Sequence, residues 1–447
     1  MTTDRIIYQS ESLFVSGLGD NDTDLKGGST QGNIQEINRV QDMSYNLEVS
    51  RTDINEFGQL AALSREVTEP PTVSLDFSYY LTDGTQEQKL GFDLNSASSF
   101  PVTSPTPMAA EIIKGTANRD ELNYYIVTSP EGTDVHGGNL QDGNHGVIGI
   151  GNGFITSYGI TAAVGELATA SVSVEASNIL FKSDLSGQNV DNPAIDVDST
   201  TGAKLQNKVV FSTASTPSAT TTTHPNGFES ISSSDGDITV GSTELFAIRP
   251  GDIVVDFDAA GYFSGSKSAG DLLTGGARLG GSGGALGTGN TAVHVQSVSL
   301  DIPISRTPLT RLGNHFPFKR KTDFPVTMTL NASALMTDFT DGSLDELICN
   351  AEQKRDIAII MADRCGKNQA ITYIMRNAIM DTQAFTASIG DNKTVDITFS
   401  SQVGGANDTE NGIFLFAEPD QRLSDYGFGP GEPTKTPQAI AVTPATS

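Results

Sequence analysis

The sequence predicts a mainly β protein in which one domain occurs twice in tandem, each copy a β-sandwich or open barrel with a flanking helix. Three observations predict it. Residues 40–83 and 295–338 align without a gap at a constant offset of 255, with 14 of 44 positions identical; self-similarity at that length marks a repeated structural unit. The repeated stretch alternates apolar and polar residues with period two, which puts one side of each strand on a core and the other on solvent. The composition is poor in charge (18%) and in aromatics (7%), lacks Trp and holds 46 Gly among 447 residues, which suits strands joined by long loops.

Each element can be read in order. Residues 5–16 (RIIYQSESLFVS) form an opening strand or arm, followed by a Gly/Asp/Ser-rich loop over 17–36. Asp20, Asp22 and Asp24 alternate as at the start of a calcium loop, but Leu25 stands where that loop needs Gly and Gln31 where it needs a bidentate acid. The first repeat follows. In residues 43–50, Met43, Tyr45, Leu47 and Val49 face one way, and Ser44, Asn46, Glu48 and Ser50 the other. In residues 72–79, Val73, Leu75, Phe77 and Tyr79 alternate with Thr72, Ser74, Asp76 and Ser78. The link from Thr52 to Pro71 is long for a hairpin, and long structured loops carry function. Gly58 and Gly313 fall at the same place in the two loops, a backbone requirement.

Past an irregular segment at 84–116, a helix-like stretch leads into a strand over 122–128. The second copy has a clearer helix: Ser343 as cap, then Leu344, Leu347, Ile348 and Ala351 as a stripe, then the strand IAIIMAD. A sheet partly covered by one helix is the expected arrangement. Residues 154–176 read as strand, turn, strand, and match 379–401 at an offset of 225. The domains are therefore placed at 1–177 and 251–417, with a polar connector or inserted subdomain at 178–250 and an extended Pro/Gly-rich tail at 418–447.

The chain carries 27 basic against 54 acidic residues, a net charge of −27. That sign argues against gripping nucleic acid and favours solubility. Cys349 and Cys365 make no disulfide framework and are expected as free thiols in a reducing compartment. No apolar run reaches the roughly 18 residues of a membrane span, and the first residues lack the form of a secretory signal. No catalytic, cofactor or metal constellation emerges. His136, His145, His224, His294 and His315 are scattered, and the run GGSGGALGTG has neither a phosphate-loop lysine nor dinucleotide spacing. The expectation is a non-enzyme without cofactor.

The polar strand sides are more informative. Asp42, Ser44, Asn46, Glu48, Ser50, Thr72, Ser74, Asp76 and Ser78 in the first copy, with Ser297, Ser299, Asp301, Ser305, Thr327, Thr329, Asn331 and Ser333 in the second, are hydroxyls, amides and carboxylates. An ordinary solvated sheet face accounts for the alternation. It accounts less well for the lack of Lys, common on solvated strands and edges. A conduit for DNA needs such a face, because each fixed cation would exchange for counterions of the phosphates and cause sticking.

The repeated pattern VQ-x-x-S … S-R-T … G … P-x-T, with the late hairpin AAVGELATASVSVEA, resembles the major tail (tail tube) proteins of tailed bacteriophages, in the long-chain form with two fused tube domains. The likeness spans 40–83, 117–176, 295–338 and 351–401. It implies rings of six domains whose inner wall is a continuous β-barrel, so that a fused pair gives a homotrimer with pseudo-sixfold symmetry. It further implies stacking of rings into a hollow tail assembled in the host cytoplasm, contacts with tape-measure, terminator and baseplate proteins, and passage of double-stranded DNA without specific binding. On this resemblance the polar sides named above face the lumen. Arg51, Arg65, Arg306 and Arg320, which recur in both copies, are assigned to carboxylates of a neighbouring domain, with pairing inside their own domain as the equal alternative. The long loops at 52–70 and 307–325 and the Gly-rich loops are the ring-to-ring contacts. The alternatives are a trimeric baseplate hub or distal tail ring, a receptor-binding or head-decoration module, and an acidic secreted adhesin.

Overall fold

The computed structural model describes residues 11–17, 35–96, 104–115, 120–131, 145–182, 189–191, 193–195, 208–210, 247–257, 259–264, 294–310, 319–335, 354–362, 369–386 and 394–417, with residues 102, 135, 312, 316 and 317. The Asp20–Asp24 run, both cysteines, the helix expected from Ser343 and the tail from 418 lie outside these residues.

The chain opens with β1 (Glu11–Gly17), β2 (Gln35–Ile37), β3 (Val40–Glu48), β4 (Arg51–Ile54), β5 (Ser64–Val67) and β6 (Thr72–Tyr80). Helix α1 (Thr85–Lys89), β7 (Asn95–Ser96) and helix α2 (Ala110–Lys114) lead to β8 (Leu122–Thr128), β9 (Gly146–Ala163), β10 (Thr169–Ala176) and β11 (Asn178–Lys182). β12 (Asn189–Asp191) and β13 (Lys208–Val210) pair with each other as a small antiparallel pair. Then come β14 (Ile253–Asp256), helix α3 (Gly261–Ser264), β15 (His294–Pro303), β16 (Arg306–Leu309), β17 (Lys319–Thr322), β18 (Val326–Leu335), β19 (Arg355–Ala362), β20 (Gln369–Thr386), β21 (Thr394–Val403) and β22 (Gly412–Ala417). Strand pairs are antiparallel throughout, save β22 with β7. The described α-helices are single turns of four or five residues, and Pro250–Asp252 forms a 3-10 turn.

Eight strands form one open wall in the order β3, β6, β10, β9, β15, β18, β21, β20. β3 and the 379–386 reach of β20 are its two edges, each bonded on one side only among the described residues. The wall does not close into a barrel. The order runs through the first part of the chain and then the second, and the registers recur. Asp42 faces Ser78 and Ser297 faces Ser333; in each pair of strands a register shift sets aside one residue, Gln41 or Gln296. Ser171 faces Ser78 and Asp396 faces Ser333. Ser173 faces Ser157 and Thr398 faces Thr382, and each is followed by a register shift that sets aside Thr156 or Asp381.

β9 and β20, each 18 residues long, belong to two sheets at once. The first part of β9 pairs with β8 and β11, and its second part with β10 and β15. β20 pairs with β19 and β22 before it joins the wall beside β21. Asn152 and Asn377 mark the two changes of sheet, with φ of 56° and 53°. Asn is among the few residues that adopt this left-handed geometry at low cost.

The wall's apolar side is covered by these smaller sheets and by the segments around α1 and α2. Leu75, Phe77, Val172, Ile160, Leu300, Leu330 and Phe399 of the wall share a core with Tyr124 and Ile126 of β8, Ile112 of α2, Ile359 of β19 and Leu415 of β22. Burying an aliphatic or Phe side chain of this kind is worth about 1.5–3 kcal/mol. Gly84, with φ of 86°, enters α1; a Cβ there would come within 2.6 Å of Ala417 Cβ, so the two parts of the chain touch with no room for a side chain. The apolar side of β3 departs from the expected half-burial: Tyr45 and Leu47, with Val49 just past its end, are exposed because β3 is the wall's edge and has no second neighbour among the described residues.

Candidate functional site

The sequence-predicted residues come together on the uncovered side of the wall. Hydrogen-bonded registers carry one row across all eight strands: Asp42, Ser78, Ser171, Gly159, Asp301, Thr329, Ser400, Ile379. A neighbouring row runs Tyr80, Thr169, Thr161, Ser299, Asn331, Thr398, Thr382. Ser44 pairs with Asp76, Asn46 with Ser74, Glu48 with Thr72, and Ser297 with Ser333. Thr327 of β18 stands opposite Gln402. Ser50 and Ser305 lie just past the ends of β3 and β15. Every one of these predicted residues is exposed or half-buried, while the residues between them on β6, β15 and β18 are buried, save the exposed Pro303.

Sequence reasoning left β9 out of this surface. Ser157, Gly159 and Thr161 supply its middle, where the two parts of the chain meet. Gly159 lies under Asp301: a Cβ built on it would sit 3.0 Å from Ser171 Oγ and 3.8 Å from Asp301 Oδ1. The signal that could have found them is the offset of 225, which places Ser157 and Thr161 on Thr382 and Thr386.

The electrostatics of the surface follow from its composition. No Lys or Arg occurs in β3, β6, β10, β15, β18 or β21, nor in the wall reaches 154–163 and 379–386. Asp42, Glu48, Asp76, Glu175, Asp301 and Asp396 carry its charge. Thr398 donates to the Asn331 side-chain carbonyl at 2.8 Å. No group of three metal-ligating side chains occurs among the described residues.

The four recurring arginines divide. Arg306 and Arg320 are buried and reach the first part of the chain. Arg306 Nη1 lies 2.5 Å from Asp120 Oδ1, and its guanidinium covers the Phe154 ring at 4.9 Å from the centroid. Arg320 pairs with Glu175 at the end of β10. Burial raises the Asp120 carboxyl above the ordinary aspartate value, against the pull of Arg306. Arg65 is exposed and pairs with Asp53 of its own hairpin at 2.7 Å; Arg51 is exposed. The segments read as the long loops at 52–70 and 307–325 are themselves hairpins, β4 with β5 and β16 with β17. Phe57 and Leu312 stand fully exposed at equivalent places in them.

A polar cluster unseen in the sequence lies beneath the wall. Tyr79 and Tyr158 donate to Glu87 Oε1 at 2.8 and 3.0 Å, and the Tyr158 and Tyr373 hydroxyls are 2.7 Å apart. Glu87 sits on the buried helix α1, and burial raises its carboxyl above the usual range despite the donated hydrogen bonds.

No known protein family's sequence profile matches the chain, and no curated protein matches it. Solved structures similar to it include the anti-feeding prophage tube-terminating cap, with 11% identity and TM-score 0.25 over 42% of this chain and 100% of that one. The SPP1 tail tube matches with 12% identity and TM-score 0.25 over 40% of this chain and 80% of that one. The sheath–tube complex of an extracellular contractile injection system, PVC, in its extended state, matches with 13% identity and TM-score 0.25 over 41% and 99%.

Proposed function

We propose that the protein is a structural, non-catalytic subunit of a phage-type tail tube, in which two fused, equivalent tube domains supply adjacent segments of a ring wall around a DNA conduit. One observation carries this reading: a continuous cation-free polar face runs over eight strands whose registers repeat from the first part of the chain to the second. The carboxylates on it repel phosphate and offer DNA no site at which to exchange counterions, so DNA slides past.

The chain also supplies the rule for closing the ring. β15, the counterpart of β3, is bonded to β9, the counterpart of β20. Applied to the free edges, the same register sets Ser44 of one copy against Thr386 of the next, Tyr45 against Phe385, and Glu48 against Thr382. Tyr45, at 42% exposure, and Phe385, at 48%, are thereby covered together. Three chains then make a pseudo-sixfold barrel without exposed edges, the usual hazard of an open sheet. Rings stacked head to tail propagate as a filament, with tail proteins of other kinds at its ends. The hairpins bearing Phe57 and Leu312 contact the adjoining ring.

Electron microscopy of the purified protein tests this. Threefold rings with a sixfold-looking bore, stacking into tubes, are expected. Rings that never stack identify a baseplate-type ring instead, and particles without a bore refute the conduit.

A further inference from the structure

Two equivalent hairpins are held in different ways. The hairpin of β16 and β17 is clamped onto the first part of the chain, Arg306 to Asp120 and the Phe154 ring, Arg320 to Glu175 with Ser177 Oγ at 3.5 Å. The hairpin of β4 and β5 has arginines at the same two places, yet both are exposed. Arg65 bridges to Asp53 on the facing strand, and Arg51 has no ion pair among the described residues. Pro308 occupies the counterpart position of Asp53, opposite Arg320. A proline offers no carboxylate, so Arg320 is free to reach across to the neighbouring domain.

The docking ground differs as well. The register of β20 and β21 puts Ile379 where Phe154 stands, Ser400 where Glu175 stands, and Gln402 in line with Ser177. Ile379 is 40% exposed, and Gln402 is also exposed. The acid and the aromatic ring that hold Arg320 and Arg306 have no counterpart there.

We propose that the β4–β5 hairpin of one copy seats on Ile379, Ser400 and Gln402 of a second copy, through aliphatic contact and neutral-acceptor hydrogen bonds. This rests on the ring reading above. The occupant is a second copy because the chain already holds the same hairpin against the same ground at its internal joint. Charge-assisted hydrogen bonds are about twice as strong as neutral ones. The joint inside each chain is thus locked by buried ion pairs, and the joint between chains is separable. In the free chain the Arg65–Asp53 pair joins the two strands of the hairpin.

Two variants test the proposal in assembled protein. Ser400→Glu restores the missing acid, and its rings are expected to persist on dilution to about threefold lower concentration than wild type, the value of one partly exposed pair. Arg51→Cys combined with Ile379→Cys is expected to give oxidative cross-links between copies in rings, absent from either single variant and from dilute chains. Rings that form in the microscope but yield no such cross-link overturn the proposed seat and leave the ring reading intact. A wild-type protein that forms no ring under any condition overturns both.

Discussion

The hydroxyl groups of Tyr158 and Tyr373 meet at 2.7 Å, although 215 residues separate them, and Glu87 accepts a hydrogen bond from Tyr158. The contact ties the two parts of the chain together through a buried acid. Burial raises the Glu87 carboxyl above its ordinary value. The stabilisation it gives is therefore fully present below the unfolded-state value, about pH 4.3, and is lost as pH rises through the higher folded-state value. Glu87→Gln should flatten this dependence. Thermal unfolding of both proteins from pH 4 upward checks it: wild type should lose stability relative to the variant as pH rises, and parallel curves would show that the Glu87 carboxyl titrates alike in the folded and unfolded chain.

Arg306→Ala should be costly in the free chain. It leaves Asp120 with a buried, unmatched charge, and breaking a buried pair in this way costs about 3–5 kcal/mol. Arg65→Ala removes an exposed pair and should cost under about 1 kcal/mol. Urea unfolding of the two variants at equal protein concentration should separate them clearly.

Lysine placed on the polar face should act on traffic rather than on folding. Ser44→Lys, Asp76→Lys, Ser299→Lys and Asn331→Lys alter exposed or half-buried positions, where substitutions usually change stability by less than about 0.5 kcal/mol. On the proposed conduit reading, assembly should persist and DNA release should slow, more so at low salt, because fixed cations bind phosphate by releasing counterions. Unchanged release kinetics in particles carrying all four would remove these residues from the lumen.

Phe57→Ser and Leu312→Ser should leave the melting temperature of the free chain within about 2 °C of wild type, since both side chains are fully solvated. Filament length should fall. Measuring both by calorimetry and electron microscopy distinguishes a stacking contact from a folding defect.

Gly84→Ala should destabilise the chain by about 2–5 kcal/mol. Its φ of 86° disfavours a side chain by about 1–2 kcal/mol, and its Cβ would press on Ala417 at 2.6 Å, an overpacking of about 1–3 kcal/mol. Chemical denaturation gives the number directly.

Much of the wall was legible in the sequence because a period of two is a strong signal where one side is buried. The strands at 72–80 and 122–128 match their expected spans, 72–79 and 122–128, to within a residue. β3 was legible as a strand, but not its exposure. Tyr45 and Leu47 look like core residues in sequence, and their place on an edge strand, with no second neighbour among the described residues, leaves them exposed. The hairpins within 52–70 and 307–325 look like loops in sequence because their short strands pair with each other and bury little. α1 gave no signal at all: TQEQK has the composition of a solvated turn, yet it lies beneath the wall with every residue buried. The division among the four arginines rests on a few substitutions between the copies, Asp53 against Pro308, Phe154 against Ile379 and Glu175 against Ser400, that carry no signal on their own.

The kinked strands β9 and β20 have a mechanical consequence. Each runs unbroken from an outer sheet into the wall, turning at Asn152 or Asn377. A load on the wall therefore passes to the outer layer along covalent backbone, not across side-chain packing. Stretching or bending strains two layers together, so the molecule resists shear between them as a single girder does.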